Sequence, residues 1–551
     1  MTTAGAPLHA SPAARAAAPD LGLTGTGELL RLALRRDRVL VPASVLGLVL
    51  LSVGSAQATL ALYPDDASAT AGLGGVLANP GVIALYGPLA SPTADALAVF
   101  KTVMMGAFLT AVLALVVVRR HTRTEEDEGR LELLGAGVVG RRAPLAAAVL
   151  VALGAVVLAG GLSAAGLAGL GMDGRGSLAF GVAWVTAGFA SVGMAALVVQ
   201  LASTTRGAAG LGFGALGVAY ALRAVGDSVP EGDALHALGW LSPLGWAGRV
   251  EAYGADRLGL LGLGVAALGI GLAAAVAVLD RRDLGAGVIP ARGGPARGGR
   301  LLAGPLGLVA RQSRGTVTGW TVGMLLGGVV VGGLLGSVAD LADDAAVREM
   351  LDRLAGSAGT VEDVYVATEV RFVAVAVAAA GIALVLRLVG AERRGLGELV
   401  LATATSRTRW FGAHVLVALV LPAFLMAVLG TVVGVVGPAA TPAAPGLAAV
   451  LGASLATLPA VWVVVGVAAL LSGAVPRFAP LTWGVLLVAF VVGELGPTMD
   501  LPSWLVEASP FAHVSQLPGG AFEPLPAVVL VAVAAALVLA GRAAYRHRDA
   551  V

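Results

Sequence analysis

Residues 119–143 read RRHTRTEEDEGRLELLGAGVVGRRA, and residues 385–409 read VLRLVGAERRGLGELVLATATSRTR. Within them Glu126-x-x-Gly129-x-x-Glu132 followed by Arg141 returns as Glu392-x-x-Gly395-x-x-Glu398 followed by Arg407, with every member displaced equally. A fixed displacement marks a repeated module, so the chain is expected to hold two copies of one unit rather than a single core. Further along, Ser242-Pro243 returns as Ser509-Pro510 and Asp227 as Glu494, both one position later than the first offset. The repeat therefore spans most of each half.

Each loop interrupts long apolar sequence. The chain is 57% hydrophobic and 13% charged, against about 25% charged residues in a soluble domain, and its mean hydropathy is +0.88. Apolar stretches near 20 residues, rich in Leu, Val, Ala and Gly and without alternation, predict spanning helices rather than a barrel. Six are expected per half: 39–62, 96–118, 144–171, 177–201, 209–226 and 258–279, then 317–338, 366–389, 411–434, 446–472, 479–494 and 525–541. The expected fold is an all-α integral membrane protein, with twelve transmembrane helices as two tandem six-helix units. There is no cysteine, which excludes disulfides, thiolate catalysis and Cys-based metal sites.

Arginine sets the expected orientation, because positive residues collect in cytoplasmic loops. Arg31, Arg35, Arg36 and Arg38 precede the first span, and further clusters occupy 119–142 and 281–314, whereas 64–95, 437–445 and 495–524 hold no Lys or Arg. Both termini are thus expected in the cytoplasm, in a multi-pass protein of the cell membrane. Residues 1–27, rich in Ala, Pro, Thr and Gly and lacking a signal-peptide apolar region, read as a disordered cytoplasmic tail. Residues 28–279 form the first unit, the Gly-, Pro- and Arg-rich stretch 280–300 a linker, 301–541 the second unit, and 542–551 a second tail. Mixed apolar and cationic segments, Leu29–Arg36 and Leu301–Arg314, suit helices lying along the inner interface. A net charge of +2 spread over such loops implies no nucleic-acid partner.

A charge run between two spans is ordinarily a solvated turn. The duplicate argues for more, since paired acids, a turn-permitting glycine and a downstream arginine recur in a loop otherwise different in sequence. Such a surface suits docking to a soluble partner. The string Arg120-His121-Thr122-Arg123, then Glu125-Glu126, Gly129-Arg130, Glu132-Leu133-Leu134 and Val139-Gly140-Arg141, resembles the signature of ABC-type permeases of the polyketide-antibiotic exporter, tetronasin-resistance family. The resemblance implies an export permease with its two halves around a central pathway lined mainly by the second and fifth spans. It implies that this loop is the coupling element seated in a separate ATPase subunit, in two copies. By that resemblance Glu126, Gly129, Glu132 and Arg141 take the coupling role in the first half, and Glu392, Gly395, Glu398 and Arg407 in the second. The second loop departs, with Ala391, Arg393 and Arg394 where the first has Glu125, Asp127 and Glu128.

A phosphate loop needs a Gly-Lys pair, and the one lysine, Lys101, follows Phe100. ATP and Mg would therefore sit on the partner, with no cofactor bound by this chain. A membrane enzyme is disfavoured because the six histidines are scattered. An ion-gradient-driven drug carrier is the rival, and would use intramembrane ionisable groups. Lys101, Glu369, Arg371, Asp227 and Glu494 are the substrate-pathway candidates, and His414 reads as a helix-end cap. Lys101 aligns with Ala367, close to Glu369 and Arg371, so both second spans carry charge at similar depth. Either these residues face a pathway for a bulky apolar or amphipathic substrate, or they snorkel to the outer interface. The stretches Trp240–Trp246 and Ala508–Phe511 are likewise either external re-entrant segments or an interfacial aromatic belt.

Overall fold

The computed structural model describes residues 22–70, 80–230, 232–290, 298–299, 302, 304–341, 359–495 and 502–548. Among them the chain is helical without a strand, an isolated bridge pairing Ala202 with Ile289. It divides into two compact units, Met1–Ala71 with Ile83–Gly293 and Gly72–Val82 with Gly294–Val551. Eleven helices among the described residues are long and apolar enough to cross a membrane.

The first unit begins with α1 (Thr26–Arg36) and α2 (Leu40–Leu62), then α3 (Ala94–His121), which ends at the loop. Two short helices, α4 (Arg123–Asp127) and α5 (Arg130–Gly135), form the loop itself. After it come α6 (Ala143–Gly169), α7 (Gly174–Leu201), α8 (Thr205–Asp227) and α9 (Leu261–Leu279). Side-chain caps start several of these: Thr93, Asp173 and Thr204 each accept from a backbone N–H three residues on, at 3.2, 2.7 and 3.0 Å. Each satisfies one of the donors a helix start leaves orphaned. The centre is α7, 72% of whose apolar window is buried against 17% for the last span.

Glycine makes that centre dense. A Cβ at Gly106 would lie 1.9 Å from the Trp184 ring, and one at Gly160 would lie 2.7 Å from the Gly181 carbonyl oxygen. Trp184 is fully buried and donates from Nε1 to the Val103 carbonyl at 3.1 Å. Lipid gives helices no hydrophobic reason to associate, so close backbone approach and its dispersion contacts supply the attraction. The last span joins by the same means, for a Cβ at Gly271 would meet the Gly193 backbone at 2.5 Å.

The second unit comprises α10 (Pro305–Leu341), α11 (Val361–Arg393), the loop helix α12 (Leu396–Leu401), α13 (Arg407–Ala440), α14 (Leu447–Ala456), α15 (Leu458–Ala474), α16 (Thr482–Phe490) and α17 (Pro524–His547). A capping box opens α11, with Thr360 and Asp363 bonding each other's backbone N–H. Here too the last span packs on the fourth through glycine: a Cβ at Gly473 would lie 2.1 Å from the Gly541 carbonyl oxygen. The fourth span is in two pieces, broken at Thr457 beside Pro459, whose ring removes a backbone donor.

Two expectations change. The apolar stretch 479–494 is a shorter helix, Ala479–Gly493, running into a π-helical segment Val491–Leu495. At 1.5 Å per residue it falls short of about 30 Å of hydrocarbon. Residues 22–27, placed with the tail by composition, are held in the first unit, since the Gly22 and Thr24 carbonyls accept from Arg142 N and Gly140 N at 2.9 and 2.8 Å. The rest of that tail, part of the linker and residues 549–551 lie outside the described residues.

The glycine contacts generate a prediction. Gly473→Ala forces a backbone apart, an overpacking cost of about 1–3 kcal/mol, whereas a Cβ at Gly452 meets nothing within 4 Å. Thermal unfolding in detergent should show Gly473→Ala clearly destabilised and Gly452→Ala at or above wild type.

Candidate functional site

The loop is a helix–glycine–helix turn built twice. Gly129 adopts φ +73° and ψ 2° and Gly395 φ +68° and ψ 2°, each immediately before its short helix, α5 or α12. A Cβ at either glycine would meet nothing within 4 Å. The requirement is therefore for the left-handed backbone and not for space.

What fixes the turn to its unit is the glutamate before it. Glu126, buried, accepts from Arg282 at 2.6 and 2.9 Å, from the Gly285 backbone N–H at 2.6 Å, and from Arg123 at 2.7 Å. Arg282 also donates to Gln200 Oε1 at 2.8 Å and the Ala286 carbonyl at 2.7 Å. Arg123, fully buried, donates to Ala286 as well, at 3.0 Å. Arg282 lies just beyond the end of α9, so the loop is clamped to the last span. Arg141 completes the clamp, donating to the carbonyls of Leu279, at 2.8 Å, and of Arg282. Carbonyls at a helix C-terminus are orphaned acceptors, and a cation there also meets the negative end of the helix dipole.

The second unit repeats the two central contacts. Glu392 accepts from Arg548 at 2.5 Å, and Arg407 donates to the Arg548 carbonyl at 2.7 Å. Glutamate and arginine are 156 residues apart in both units, and the two arginines 141 apart. Arg548 caps the end of α17. The aromatic ring of Tyr545, 5.0 Å from the guanidinium, backs it.

Arg282 and Arg548 were missed by the sequence reading. They obey the same displacement as the loop residues, but counting them only as topology charges hid the pairing. Of the candidate coupling residues, Glu126 and Glu392 turn inward onto their own unit, because a desolvated carboxylate has to be matched by a cation, while Arg141 and Arg407 stay exposed and reach the carbonyls at the end of the last span. Glu132 and Glu398 remain exposed, each beside an exposed leucine, Leu133 at 79% and Leu399 at 69%.

The first loop has further ties. Glu125 accepts from Arg36 of α1 at 2.6 Å and from Arg130 at 2.7 Å, and Glu128 pairs with Arg130. Asp37, buried, takes His121 Nε2 at 2.6 Å and Arg120 at 2.9 Å. Arg142 reaches Asp280 beyond α9, and its hydrogen bond holds that carboxyl below the usual carboxylate range. A Cβ at Gly140 would lie 2.2 Å from the Gly22 carbonyl oxygen, so the tail segment rests directly on the loop. In the second loop Arg393 and Arg394 are exposed, leaving a more cationic face.

The pathway candidates lie in different surroundings within their own units. Lys101 is exposed on α3, whereas Glu369 and Arg371 are half-buried on α11. Asp227 is buried between Arg223, 3.4 Å away, and Arg249, 3.2 Å away. Arg223 bonds the carbonyls of Ile83, Ala84 and Leu85 as well, and Arg249 stacks 5.1 Å from the Trp240 ring. Asp227 thus holds the end of α8 against the segment Ala234–Arg249 instead of standing open to a solute. The Glu494 candidate falls outside the described side chains. Ser242 and Ser509, repeat partners, are both buried caps, while Trp240 and Trp504 are exposed. His414 is buried with Nδ1 3.1 Å from the Trp410 carbonyl, one turn back on α13.

The family described as multidrug efflux system permease Rv1217c, C-terminal domain, matches residues 302–546. Over its whole length the chain is similar to the multidrug efflux system permease protein Rv1217c of Mycobacterium tuberculosis (strain ATCC 25618 / H37Rv), at 37% identity over 534 residues, covering 96% of each.

The two kinds of loop glutamate should separate in stability. Glu126→Ala strands two buried guanidinium groups, a cost of about 3–5 kcal/mol, while Glu132→Ala at an exposed position stays within about 0.5 kcal/mol. Thermal unfolding in detergent should rank them in that order, with Glu126→Gln between.

Proposed function

Since the chain belongs to the family of multidrug efflux permeases that includes Rv1217c, we propose that it is the membrane-spanning subunit of an ATP-driven ABC exporter. The chain is a multi-pass membrane transport protein rather than an enzyme. Its subtype on this reading is the polyketide-antibiotic, tetronasin-resistance kind. ATP and Mg act on a separate phosphate-loop ATPase, two copies of which meet the two loops. Both termini and both loops face the cytoplasm, and the chain resides in the plasma membrane as two tandem six-helix units, Ala479–Leu495 counting as the shorter fifth span of the second. The substrate is a hydrophobic or amphipathic compound such as an antibiotic, handled by spans that are mostly apolar.

One observation carries the energy-coupling part: both units hold the same turn, with the glutamate before the glycine locked inward and Glu132-Leu133 or Glu398-Leu399 presented outward. An exposed leucine beside an exposed acid, on a turn braced from behind, suits a partner surface with an apolar socket and a cationic rim. An ion-gradient carrier would use a buried carboxylate free to take up a proton. Asp227 has both oxygens engaged by arginines.

Inverted membrane vesicles containing the chain and the ATPase from a neighbouring reading frame test this. ATP should drive uptake of hydrophobic antibiotics into them. Glu132→Ala and Glu398→Ala should each lower transport and ATPase stimulation with membrane insertion unchanged. Transport that ignores ATP and collapses with the proton gradient, or crosslinking that places neither loop near the ATPase, contradicts the proposal.

A further inference from the structure

We infer that Arg282 and Arg548 are positioning residues of the transport cycle, each making the loop and the adjoining end of the last span of its unit move as one piece. The inference rests on the reading of the loops as ATPase contacts and adds how their displacement reaches the helices.

Three observations converge on it. The first is recurrence: the Glu126–Arg282 and Glu392–Arg548 pairs have the same spacing, and both are reinforced by the loop's second arginine on the backbone of the first. The neighbours differ, with Gln200, Gly285 and Arg123 around one pair and Tyr545 beside the other. A contact that only filled local space would not recur amid such different surroundings.

The second is peripheral placement. Each last span lies at the edge of its unit, with 17% of its apolar stretch buried against 72% for α7, so that within the unit it is held mainly by the fourth span and by the loop at its end. In the first unit the loop contacts are a two-pronged Arg282–Glu126 fork at 2.6 and 2.9 Å and the Arg141 bond to Leu279 O. A planar fork fixes orientation as well as distance in the first unit; in the second, where Arg548 makes one contact to Glu392, the Arg407 bond to the Arg548 carbonyl supplies the second point.

The third is where the last span leads. Its inner face meets the fourth span through backbone, Gly271 on Gly193 in one unit and Gly541 on Gly473 in the other. At these crossings no side chain separates the backbones, so little is there to absorb a displacement. A push on the loop passes through the clasp to the last span, and from there to the fourth span of the unit.

Arg548 is the residue to test first, because the pair in the second unit is 15% and 12% exposed and its loss is easier to accommodate than that of Arg282. The chain is reconstituted with its ATPase, and efflux of a hydrophobic fluorescent dye and ATP hydrolysis are measured together. Arg548→Ala should retain ATPase binding and hydrolysis while efflux per ATP falls about tenfold, within the usual range of coupling between sites. The charge exchange Glu392→Arg with Arg548→Glu should recover most of it. In the first unit Arg282→Lys, which keeps the charge and loses the fork, should uncouple in the same sense. Unchanged efflux per ATP in Arg548→Ala overturns the inference, as does a parallel loss of assembly, hydrolysis and efflux, which marks a structural role alone. The reading beneath it is judged separately by whether the wild-type chain binds the ATPase; if it does not, the loop has no driver and the inference falls with it.

Discussion

A carboxylate removed from water has to be matched, and Glu126 is matched by Arg282, Arg123 and the Gly285 N–H together. The loop's shape follows from that one constraint. Glu126 pinned inward sets the start of the turn, the left-handed Gly129 reverses the chain, and α5 emerges with Glu132 and Leu133 facing out. A charged pair this deep is weak evidence of net stability, since desolvation offsets much of the attraction. Its contribution is geometric: it selects one arrangement of loop and last span.

The same constraint is met more sparingly in the second unit. Glu392 has one arginine at 2.5 Å where Glu126 has two, and Val389 stands at the position of Arg123. The extra acids of the first loop, Glu125, Asp127 and Glu128, are largely answered within its own unit, by Arg36, Arg130 and the Thr205 N–H. The outward difference between the loops is therefore smaller in acid than the sequence suggests, and resides mainly in exposed Arg393 and Arg394.

Much of the helical layout was legible because a membrane imposes it: stretches near 20 apolar residues have few alternatives to helix. The stretch 479–494 misled because composition alone does not disclose where a helix ends; here it runs into a π-helical segment Val491–Leu495. Repetition pointed to Glu126, Gly129 and Arg141, and the glycines were read correctly as turn-formers. Burial was the illegible part. Sequence spacing says that Glu126 and Glu132 are close, but not that one faces Arg282, 156 residues away, and the other solvent. Asp227 shows the same gap, since its partner Arg249 lies across a loop on the segment Pro243–Arg249.

The central claim is that each loop rests on the end of the last span of its own unit, with the glutamate facing the arginine and the loop's other arginine on the arginine's backbone carbonyl. Because the chain has no cysteine, Glu392→Cys with Arg548→Cys introduces the sole thiol pair, and a short bifunctional thiol reagent applied to native membranes reads their proximity directly. The account predicts rapid, near-complete intramolecular crosslinking, with and without ATP, and none when Glu398→Cys replaces Glu392→Cys. Absence of crosslinking at 392 and 548, or equal crosslinking from 398, contradicts it.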